Sequence, residues 1–271
     1  MRNWKRAWLV TTLIVFSAGI AWMFEGNQKQ VNIGGVVLPK PTIIENKLKI
    51  AVMADIHNDE EELRIMLKKA KGNGVEMVVL AGDLTNNGKT SELIKIKEVL
   101  DESGVKYAAV PGNHEYYIDE FVKIFGKNYQ SIRLGEVKLI LVDNSYWKGL
   151  DEVHKKWLEG EVGECRVLIC VAVMHKPLNN LFSSHVMGEN NDKATAEALW
   201  MRELLITFGV RQIEAGHLHY ASSYELEGIR TDIVGAVSRE RNNQSPRYTE
   251  LMIGRDLIER VVVEETDGIG N

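Results

Sequence analysis

Side chains of metal-binding type follow an apolar run at Tyr107–Val110, where the chain reads Pro-Gly-Asn-His-Glu over residues 111–115. The run predicts a short buried strand, and Pro-Gly predicts a sharp turn into a loop. Asn113, His114 and Glu115 would then stand at the carboxyl edge of a sheet, which is where ligands bind in open α/β sheets. Taken alone, this segment would be interpreted as a polar loop.

The same arrangement recurs along the chain. The predicted strands that end in Asp, Asn or His are Leu48–Ala54, Val75–Leu80, Tyr107–Val110, Val167–Met174 and Val210–Ala215. The polar residues that follow the other four runs are Asp55 and His57, Asp83 and Asn86, His175, and His217 and His219. Five coincidences of this kind are hard to attribute to chance, so the sequence predicts that these strand ends build one site.

The residue types in these loops indicate which ions they would bind. Carboxylate, imidazole and amide oxygen ligands suit Mn, Fe, Zn or Mg, and the loops contain no thiolate. Asp55 and His57 are two residues apart, so in an extended chain both side chains point the same way and reach one metal ion. The same spacing relates His217 to His219.

At these residues the chain resembles the calcineurin-like metallophosphoesterase superfamily, whose members carry Asp-x-His, Gly-Asp, Gly-Asn-His-Asp/Glu, His and Gly-His-x-His in that order. The resemblance extends over about residues 48–264 and includes all five motifs. It implies an α/β (α+β) fold, a four-layer αββα metallophosphoesterase sandwich. Strand–helix alternation followed by a β-rich last third fits that architecture.

The resemblance also implies a dinuclear metal centre. Such a centre holds two cations about 3.5–4 Å apart, bridged by one ligand and a hydroxide. Asp83 is the expected bridge, because one carboxylate can bind two cations. The remaining ligands are expected to be Asp55, His57 and His219 for the first ion and Asn113, His175 and His217 for the second. We expect two divalent or trivalent ions, Mn, Fe or Zn, with Mn the first candidate.

His114 matches the superfamily's histidine that does not bind metal. Its expected role is to protonate the leaving oxygen or bind the phosphoryl group, while metal-bound hydroxide attacks phosphorus in line. An acid role predicts that activity declines at alkaline pH. Glu115 would either orient His114 or a ligand, or be an ordinary surface residue. Gly82, Gly112 and Gly216 would let the backbone turn beside the ligands without a Cβ clash.

The segment after Asp83 narrows the substrate class. Protein Ser/Thr phosphatases have an Asp-Arg-Gly element there, whereas this chain reads Leu-Thr-Asn-Asn-Gly over residues 84–88, without arginine. Together with residues 141–145 and 174–177, it resembles the branch that contains cyclic-nucleotide and other phosphodiesterases, although that branch usually has Asp in place of Asn86. The expected function is metal-dependent hydrolysis of a small phosphoester, as a phosphodiesterase or phosphatase.

Two alternatives stay open. The first is a membrane-associated hydrolase of a lipid-linked phosphodiester or pyrophosphate, which would be favoured by an apolar trough at Leu181, Phe182, Val186 and Met187. The second is a non-catalytic metal-binding scaffold. The presence of all seven ligand candidates and of His114 argues against a scaffold.

The N-terminus predicts a transmembrane helix. Arg2, Lys5 and Arg6 precede the 18 uncharged residues Ala7–Phe24, the lower limit for a membrane-spanning helix. The positive-inside rule would place the N-terminus in the cytoplasm and the catalytic domain outside the cell membrane. Cleavage near Gly19–Ala21 would instead give a secreted protein. The expected organisation is a signal anchor at 1–25, a linker at 26–47, a metallophosphoesterase domain at 48–265 and a frayed tail at 266–271.

The remaining composition adds few constraints. A formal charge of −5 with 45% apolar and 26% charged residues is ordinary for a globular protein, and no nucleic-acid polymer is expected as a partner. Cys165 and Cys170 lie on one predicted strand segment, about 16 Å apart, and are expected to be free thiols. His154 is expected to be an inert surface residue on a short helix at 154–160, and His185 an exposed residue or a substrate contact.

Overall fold

The structure, a computed structural model, describes residues 47–265 other than residue 243, together with residues 32–33 and 36–37. The strands β1 (Asn32–Ile33) and β2 (Val36–Val37) pair antiparallel within a first compact unit, residues 1–45. The expected anchor at 1–25 and tail at 266–271 lie outside the described residues. No helix within the described ranges is long and apolar enough to cross a bilayer.

The second unit, residues 46–271, alternates strands and helices before a β-rich final part. Its elements are β3 (Leu48–Met53), α1 (Glu60–Gly72), β4 (Met77–Ala81), α2 (Thr90–Ser103), β5 (Tyr107–Val110), α3 (Ile118–Phe125), β6 (Gln130–Leu134), β7 (Val137–Val142), α4 (Glu152–Val162), a 3-10 turn (Gly163–Arg166), β8 (Ile169–Met174), α5 (Asp192–Phe208), β9 (Gln212–Ala215), β10 (Ser222–Leu226), β11 (Ile229–Ile233), β12 (Arg247–Ile253) and β13 (Ile258–Glu264).

Local sequence sets the helix boundaries. The side chain of Asp59 accepts a hydrogen bond from the backbone N–H of Glu62 and caps α1, and Asp151 and Asn191 cap α4 and α5 in the same way. Such caps satisfy N–H groups that have no partner inside the helix. Gly209 ends α5 in the left-handed conformation, which glycine adopts without steric cost.

Two mixed sheets form the centre of this unit. One has the strand order β13-β12-β3-β4-β5, and the other β10-β11-β9-β8-β7-β6. The neighbours β3-β4-β5 run parallel, as do β7-β8-β9-β11, whereas β12 pairs antiparallel with β3. The carboxyl ends of the parallel strands in each sheet therefore share one edge.

Residue alternation along the strands produces the layers. In β8, Val171 and Val173 pack into an apolar cluster shared by both sheets, while Ala172 and Met174 pack towards α4 and α5. The other sheet shares that cluster and turns its opposite face towards α1, α2 and α3. Because the side chains of a strand alternate between faces, both sheets are buried on two sides. The expected arrangement of two packed sheets with helices outside is confirmed.

The sequence prediction for the two cysteines is wrong. Cys165 lies in the 3-10 turn rather than on β8, which begins only at Ile169. The chain folds back at this turn and brings the Cα atoms of Cys165 and Cys170 to 5.4 Å, and the two residues form a disulfide. The prediction failed because it treated the whole segment as extended, whereas a helical turn is far shorter per residue than a strand.

Candidate metal centre

The five strand ends meet in one place, as the sequence predicts. Strands β3, β4 and β5 of one sheet and β8 and β9 of the other deliver their polar residues to a common cluster. Every expected ligand is found there: Asp55, His57, Asp83, Asn113, His175, His217 and His219.

A first group of donors consists of Asp55, His57, Asp83 and His219, whose donor atoms all lie within 4.8 Å of one another. The Nε2 atoms of His57 and His219 are 3.2 Å apart. The Nε2 atom of His219 is 3.4 Å from an oxygen of Asp55, and that of His57 is 3.7 Å from Oδ2 of Asp83. Two imidazoles and two carboxylates are a donor set that fits one transition-metal cation.

A second group of donors is built around His175. Its Nε2 atom lies 3.3 Å from Oδ2 of Asp83, 3.2 Å from Nδ1 of His217 and 3.0 Å from Oδ1 of Asn113. Asp83 thus belongs to both groups, and its Oδ2 atom faces His57 on one side and His175 on the other. This is the placement that a bridging carboxylate requires.

Backbone carbonyls fix two of the rings so that Nε2 faces the cluster. The Nδ1–H of His175 donates to the carbonyl of Ala81 at 2.9 Å, and that of His219 to the carbonyl of Arg241 at 2.7 Å. A carbonyl can only accept, so Nδ1 of each ring carries a hydrogen and Nε2 is the atom that faces a metal ion. Outer contacts of this kind orient histidine ligands in metal sites. The residues present therefore fit two cations.

The backbone is strained at most of these residues. Asp55, His57, Asp83, His217 and His219 all have positive φ angles, between 49° and 71°. This left-handed conformation costs an L-residue about 1–2 kcal/mol. Two carboxylates help to hold it: Asp55 accepts from the N–H of His217 at 3.0 Å, and Asp83 from the N–H of His114 at 2.9 Å. Strain that clusters in this way is typical of functional sites.

Burial and neighbouring charges set the protonation of the cluster. Burial lowers the pKa of His57 to about 4, so this ring is neutral at pH 7 and can offer a lone pair. Burial opposes ionisation of Asp83, yet the adjacent His175 holds the pKa of that carboxyl well below its usual range. Burial would lower the pKa of His175, but Asp83 outweighs it and raises the pKa to about 9. Without metal, Asp83 and His175 therefore form a buried charged pair, and a cation bound at Nε2 of His175 would replace its proton.

Two glycines let the loops approach closely, as expected. A Cβ on Gly112 would overlap the backbone nitrogen and the carboxylate of Asp83. Gly82 has a φ of 87°, and a Cβ there would lie 2.6 Å from Nδ1 of His175. Side chains at either position would displace a candidate ligand.

Glu115 is buried and holds two loops together, so it is not a surface residue. Its Oε1 atom accepts from the N–H and the hydroxyl of Thr85 at 2.9 and 3.0 Å, and its Oε2 atom accepts from the N–H of Gly112 at 2.7 Å. The carboxylate therefore ties the loop after β4 to the loop after β5. It supports the loops that carry Asp83 and Asn113 rather than orienting the ring of His114 directly.

His114 stands next to an arginine that the sequence analysis did not identify. The Nδ1–H of His114 donates to the carbonyl of Asn86 at 2.9 Å, and Arg241 donates to its Nε2 atom at 3.3 Å. The same Nε2 atom is 4.0 Å from Asp83. Residues 84–88 contain no arginine, and Arg241 reaches the site from a loop 127 residues away from His114. No local pattern marked it.

The other side chains singled out in the sequence divide between buried and exposed positions. The prediction for His154 is wrong: it is only 4% exposed and stacks on Tyr129 with ring centroids 3.9 Å apart. His185 is exposed and lies 2.9 Å from Glu189. The proposed apolar trough does not form as one surface, because Met187 packs into the core while Phe182 is 91% exposed.

A sandwich of two mixed sheets that gathers histidines and aspartates at its strand ends defines a metallophosphoesterase. The model of the calcineurin-like phosphoesterase family matches residues 48–221, and the chain belongs to that family. It is a hydrolase of phosphoric esters, and the His/Asp cluster indicates that the reaction depends on divalent metal ions.

Comparison with individual proteins agrees with this assignment. The chain is 24% identical over 204 residues to the "Probable glycerophosphodiester phosphodiesterase GpdQ" of Arcobacter nitrofigilis, covering 69% of this chain and 72% of the relative. A dimetal phosphatase from Danio rerio shares the fold, with a TM-score of 0.57 and 13% identity over 81% of this chain and all of its own. The protein TT1561 of Thermus thermophilus has the same TM-score, with 15% identity over 79% of this chain and 98% of its own.

Proposed function

We propose that the protein is a metal-dependent hydrolase of small phosphoesters, with a preference for phosphodiesters, and that it works with two metal ions. The observation that carries this proposal is the position of Asp83, whose Oδ2 atom lies within 3.3 Å of His175 and 3.7 Å of His57. The diester preference is supported by the likeness to a relative named a glycerophosphodiester phosphodiesterase.

The proposal gives every ligand candidate a place. Asp55, His57 and His219 would hold one ion, Asn113, His175 and His217 the other, and Asp83 both. When bound, two such ions lower the pKa of water and neutralise charge on the phosphoryl group. Mn is our first choice of metal, with Fe and Zn as alternatives, because the set combines imidazole with carboxylate and amide oxygens.

Two residues that are not metal ligands, His114 and Arg241, would transfer the proton and bind the phosphoryl group. The contact with Asn86 keeps hydrogen on Nδ1 of His114, so proton transfer to a leaving oxygen would take place at Nε2. Arg241 could turn its N–H donors from Nε2 of His114 to the phosphoryl oxygens. Guanidinium groups bind phosphate through two parallel hydrogen bonds. In this proposal Arg241 binds the phosphoryl group and His114 donates the proton.

The test is to reconstitute the protein with metal and to count the ions bound per chain. Protein stripped by a chelator and titrated with Mn should bind two ions per chain and hydrolyse a soluble phosphodiester. Asp83→Asn should lose at least one ion and nearly all turnover, while His114→Asn should keep both ions and lose turnover. Asp101→Asn, an exposed carboxyl on α2, serves as the control. Full activity with one ion per chain, or in Asp83→Asn, would refute the dinuclear proposal.

A second candidate is hydrolysis of a lipid-linked phosphodiester or pyrophosphate at the membrane. It is favoured by the exposed Phe182 and Leu181 in the loop after β8, and by the uncharged segment at residues 7–24. In this case the N-terminus would be cytoplasmic and the catalytic domain extracytoplasmic. Turnover of a lipid-linked substrate that Phe182→Ser weakens, with no turnover of soluble diesters, would decide for it. Protease protection in closed vesicles would test the orientation.

A further inference from the structure

A large cavity opens beside the candidate metal centre. Its volume is about 1080 Å³, and Asn113 and His217, two of the ligand candidates, line it. The walls come from the loops after β5, β7 and β8, from the segment just before β6 and from the starts of α4 and α5. Pockets that bind drug-sized ligands have volumes of about 300–1,000 Å³. The cavity is therefore much larger than a phosphoryl group with a three-carbon alcohol needs.

One wall of this cavity is a pair of stacked rings. Tyr129 and His154 lie parallel, with an interplanar angle of 11°, and Trp157 packs behind both with centroids 4.8 and 5.4 Å away. Burial lowers the pKa of His154 to about 4, so the ring is neutral at pH 7. A neutral, rigid aromatic wall suits the flat face of an uncharged ring.

At the rim, two further aromatic residues are largely exposed, although Lys148 lies over the ring of Trp147 with its Nζ atom 4.9 Å from the centroid. Trp147 is 62% and Tyr146 is 56% exposed, and both line the cavity in the loop after β7. Large aromatic side chains left exposed at a binding site are typical contacts for a ligand. Their position makes the cavity aromatic at the wall and at the mouth.

Polar groups also lie at or behind the cavity wall. The Nε2 atom of His154 is buried and has no hydrogen-bond partner within the described residues. A buried polar atom without a partner costs about 1–3 kcal/mol. Lys176, which directly follows the ligand candidate His175, lines the cavity and donates to the carbonyl of Ser145 at 3.1 Å. A ligand with polar atoms at the edge of its ring could contact Lys176, whereas Nε2 of His154 is enclosed by protein.

We propose that this cavity binds the alcohol part of the substrate and that this part carries a planar ring. The inference rests on the proposed phosphodiester hydrolysis and adds the substrate class to it. The Tyr129–His154 wall stacks on the ring, Trp147 covers it from the rim, and the scissile phosphate lies at the metal centre. Water adds to phosphorus, the bond to the ring-bearing alcohol breaks, and that alcohol leaves with a proton.

The experiment compares three phosphodiesters that share a methyl group and differ in the second alcohol: 2-phenylethyl, 2-cyclohexylethyl and butyl. The three leaving alcohols are similar in acidity, so differences in kcat/KM report binding of the alcohol part rather than chemistry. Full-length protein reconstituted with Mn is assayed by chromatography of the released alcohol. We expect the phenylethyl ester to be preferred roughly ten-fold or more, because ring stacking in binding sites is worth that order of discrimination.

Three variants locate the effect. Trp147→Ala should reduce kcat/KM for the phenylethyl ester roughly five- to thirty-fold, mainly through KM, and change the butyl ester less than about two-fold. His154→Phe keeps the stacked wall, so it should keep the preference for the phenylethyl ester. Tyr117→Ala, an equally exposed aromatic residue that does not line the cavity, is the control.

The outcomes separate this inference from the proposed function. Equal kcat/KM for the phenylethyl, cyclohexylethyl and butyl esters, or loss of the butyl ester alongside the phenylethyl ester in Trp147→Ala, would overturn the ring-binding site while leaving phosphodiester hydrolysis intact. Absence of turnover for all esters in the metal-loaded wild type would overturn the proposed function itself. Because Trp147 is exposed, misfolding of the buried His154 variant would not remove the test.

Discussion

At the scale of single residues, Arg241 contacts both His219, a ligand candidate, and His114. Its carbonyl accepts from Nδ1 of His219, a candidate ligand, and its guanidinium donates to Nε2 of His114. Its own φ is 58°, so the backbone is strained here as it is at the ligands. Arg241 thus orients the ring of His219, a ligand candidate, through its main chain. Its side chain places a positively charged guanidinium beside His114. Substituting the side chain should separate these two effects.

We predict that Arg241→Lys keeps both metal ions and loses activity. Lysine preserves the charge and the carbonyl that holds His219, but it cannot make two parallel hydrogen bonds to a phosphoryl group. Loss of one such interaction in the transition state lowers kcat by about 10²-fold. Arg64→Lys, on the exposed face of α1, is the control. Steady-state kinetics with metal analysis checks this, and unchanged kcat would remove Arg241 from the mechanism.

Gly112→Ala is predicted to damage the centre through packing alone. The new Cβ would overlap Asp83, so either the loop after β5 or the Asp83 carboxylate must move. Forced overpacking of this kind costs about 1–3 kcal/mol. Urea unfolding should show that loss, and Mn titration should show weaker binding.

The same substitution at Gly160 gives the matched control. This glycine lies inside α4, and a Cβ there meets no atom within 4 Å. Alanine stabilises an open helical position relative to glycine by about 0.5–1 kcal/mol. Opposite signs for the two Gly→Ala variants are the expected result. Equal effects would mean that the space around Gly112 is unimportant.

At the scale of elements, the strand ends were predictable because parallel strands buried on both faces give nearly continuous apolar runs. Those runs located Asp55, Asp83 and His175 without any tertiary information. The segment between α4 and β8 misled the prediction because it also contains apolar residues. It contains a 3-10 turn and then Val167, which is exposed, so an apolar stretch was mistaken for a longer strand. His154 was misplaced because its helix has charged neighbours, whereas its burial depends on a distant partner, Tyr129.

The disulfide in that segment gives a prediction at the same scale. Cys165→Ser should lower the free energy of unfolding by about 2 kcal/mol, since a cross-link over a short loop restricts the unfolded chain by that amount. Thiol titration of the unfolded wild type should find two thiols only after reduction. Free thiols in the unreduced protein would contradict this bond. Disulfides persist in oxidising compartments, which agrees with the proposed extracytoplasmic domain.

At the scale of the whole sandwich, the space between the sheets is apolar at its centre and polar towards one edge. Gln212 and Glu214 of β9 lie on the face opposite to Ile213 and Ala215, and both are buried. Glu214 is in register with Asp232 of the parallel neighbour β11. Arg260 of β13 donates to the carbonyl of Ile233, so this polar region connects the two sheets. Sequence periodicity could not reveal it, because the pairing of β9 with β11 is not local.

The protonation of Glu214 makes the stability of the sandwich depend on pH. Burial first, and then the Asp232 carboxylate, raise the pKa of Glu214 well above its ordinary 4.5. A carboxyl group whose pKa is raised by folding contributes stability below its unfolded pKa and loses it as pH rises towards the folded pKa. The wild type should therefore lose stability progressively above about pH 4.5 through this group.

Glu214→Gln is expected to remove that loss. Glutamine keeps an oxygen to accept from Gln212, which donates to Glu214 at 2.6 Å, and it carries no charge into the buried position. At pH 8 the free energy of unfolding of the variant should exceed that of the wild type by an amount on the order of 1–3 kcal/mol, and the variant should unfold at a higher temperature. This difference should shrink at pH 5. Glu225→Gln, exposed on β10 of the same sheet, should show no such trend. If the Glu214→Gln difference were the same at both pH values, the carboxyl group would have to be ionised in the folded protein, and the polar edge between the sheets would instead be held by a charge paired with Arg260.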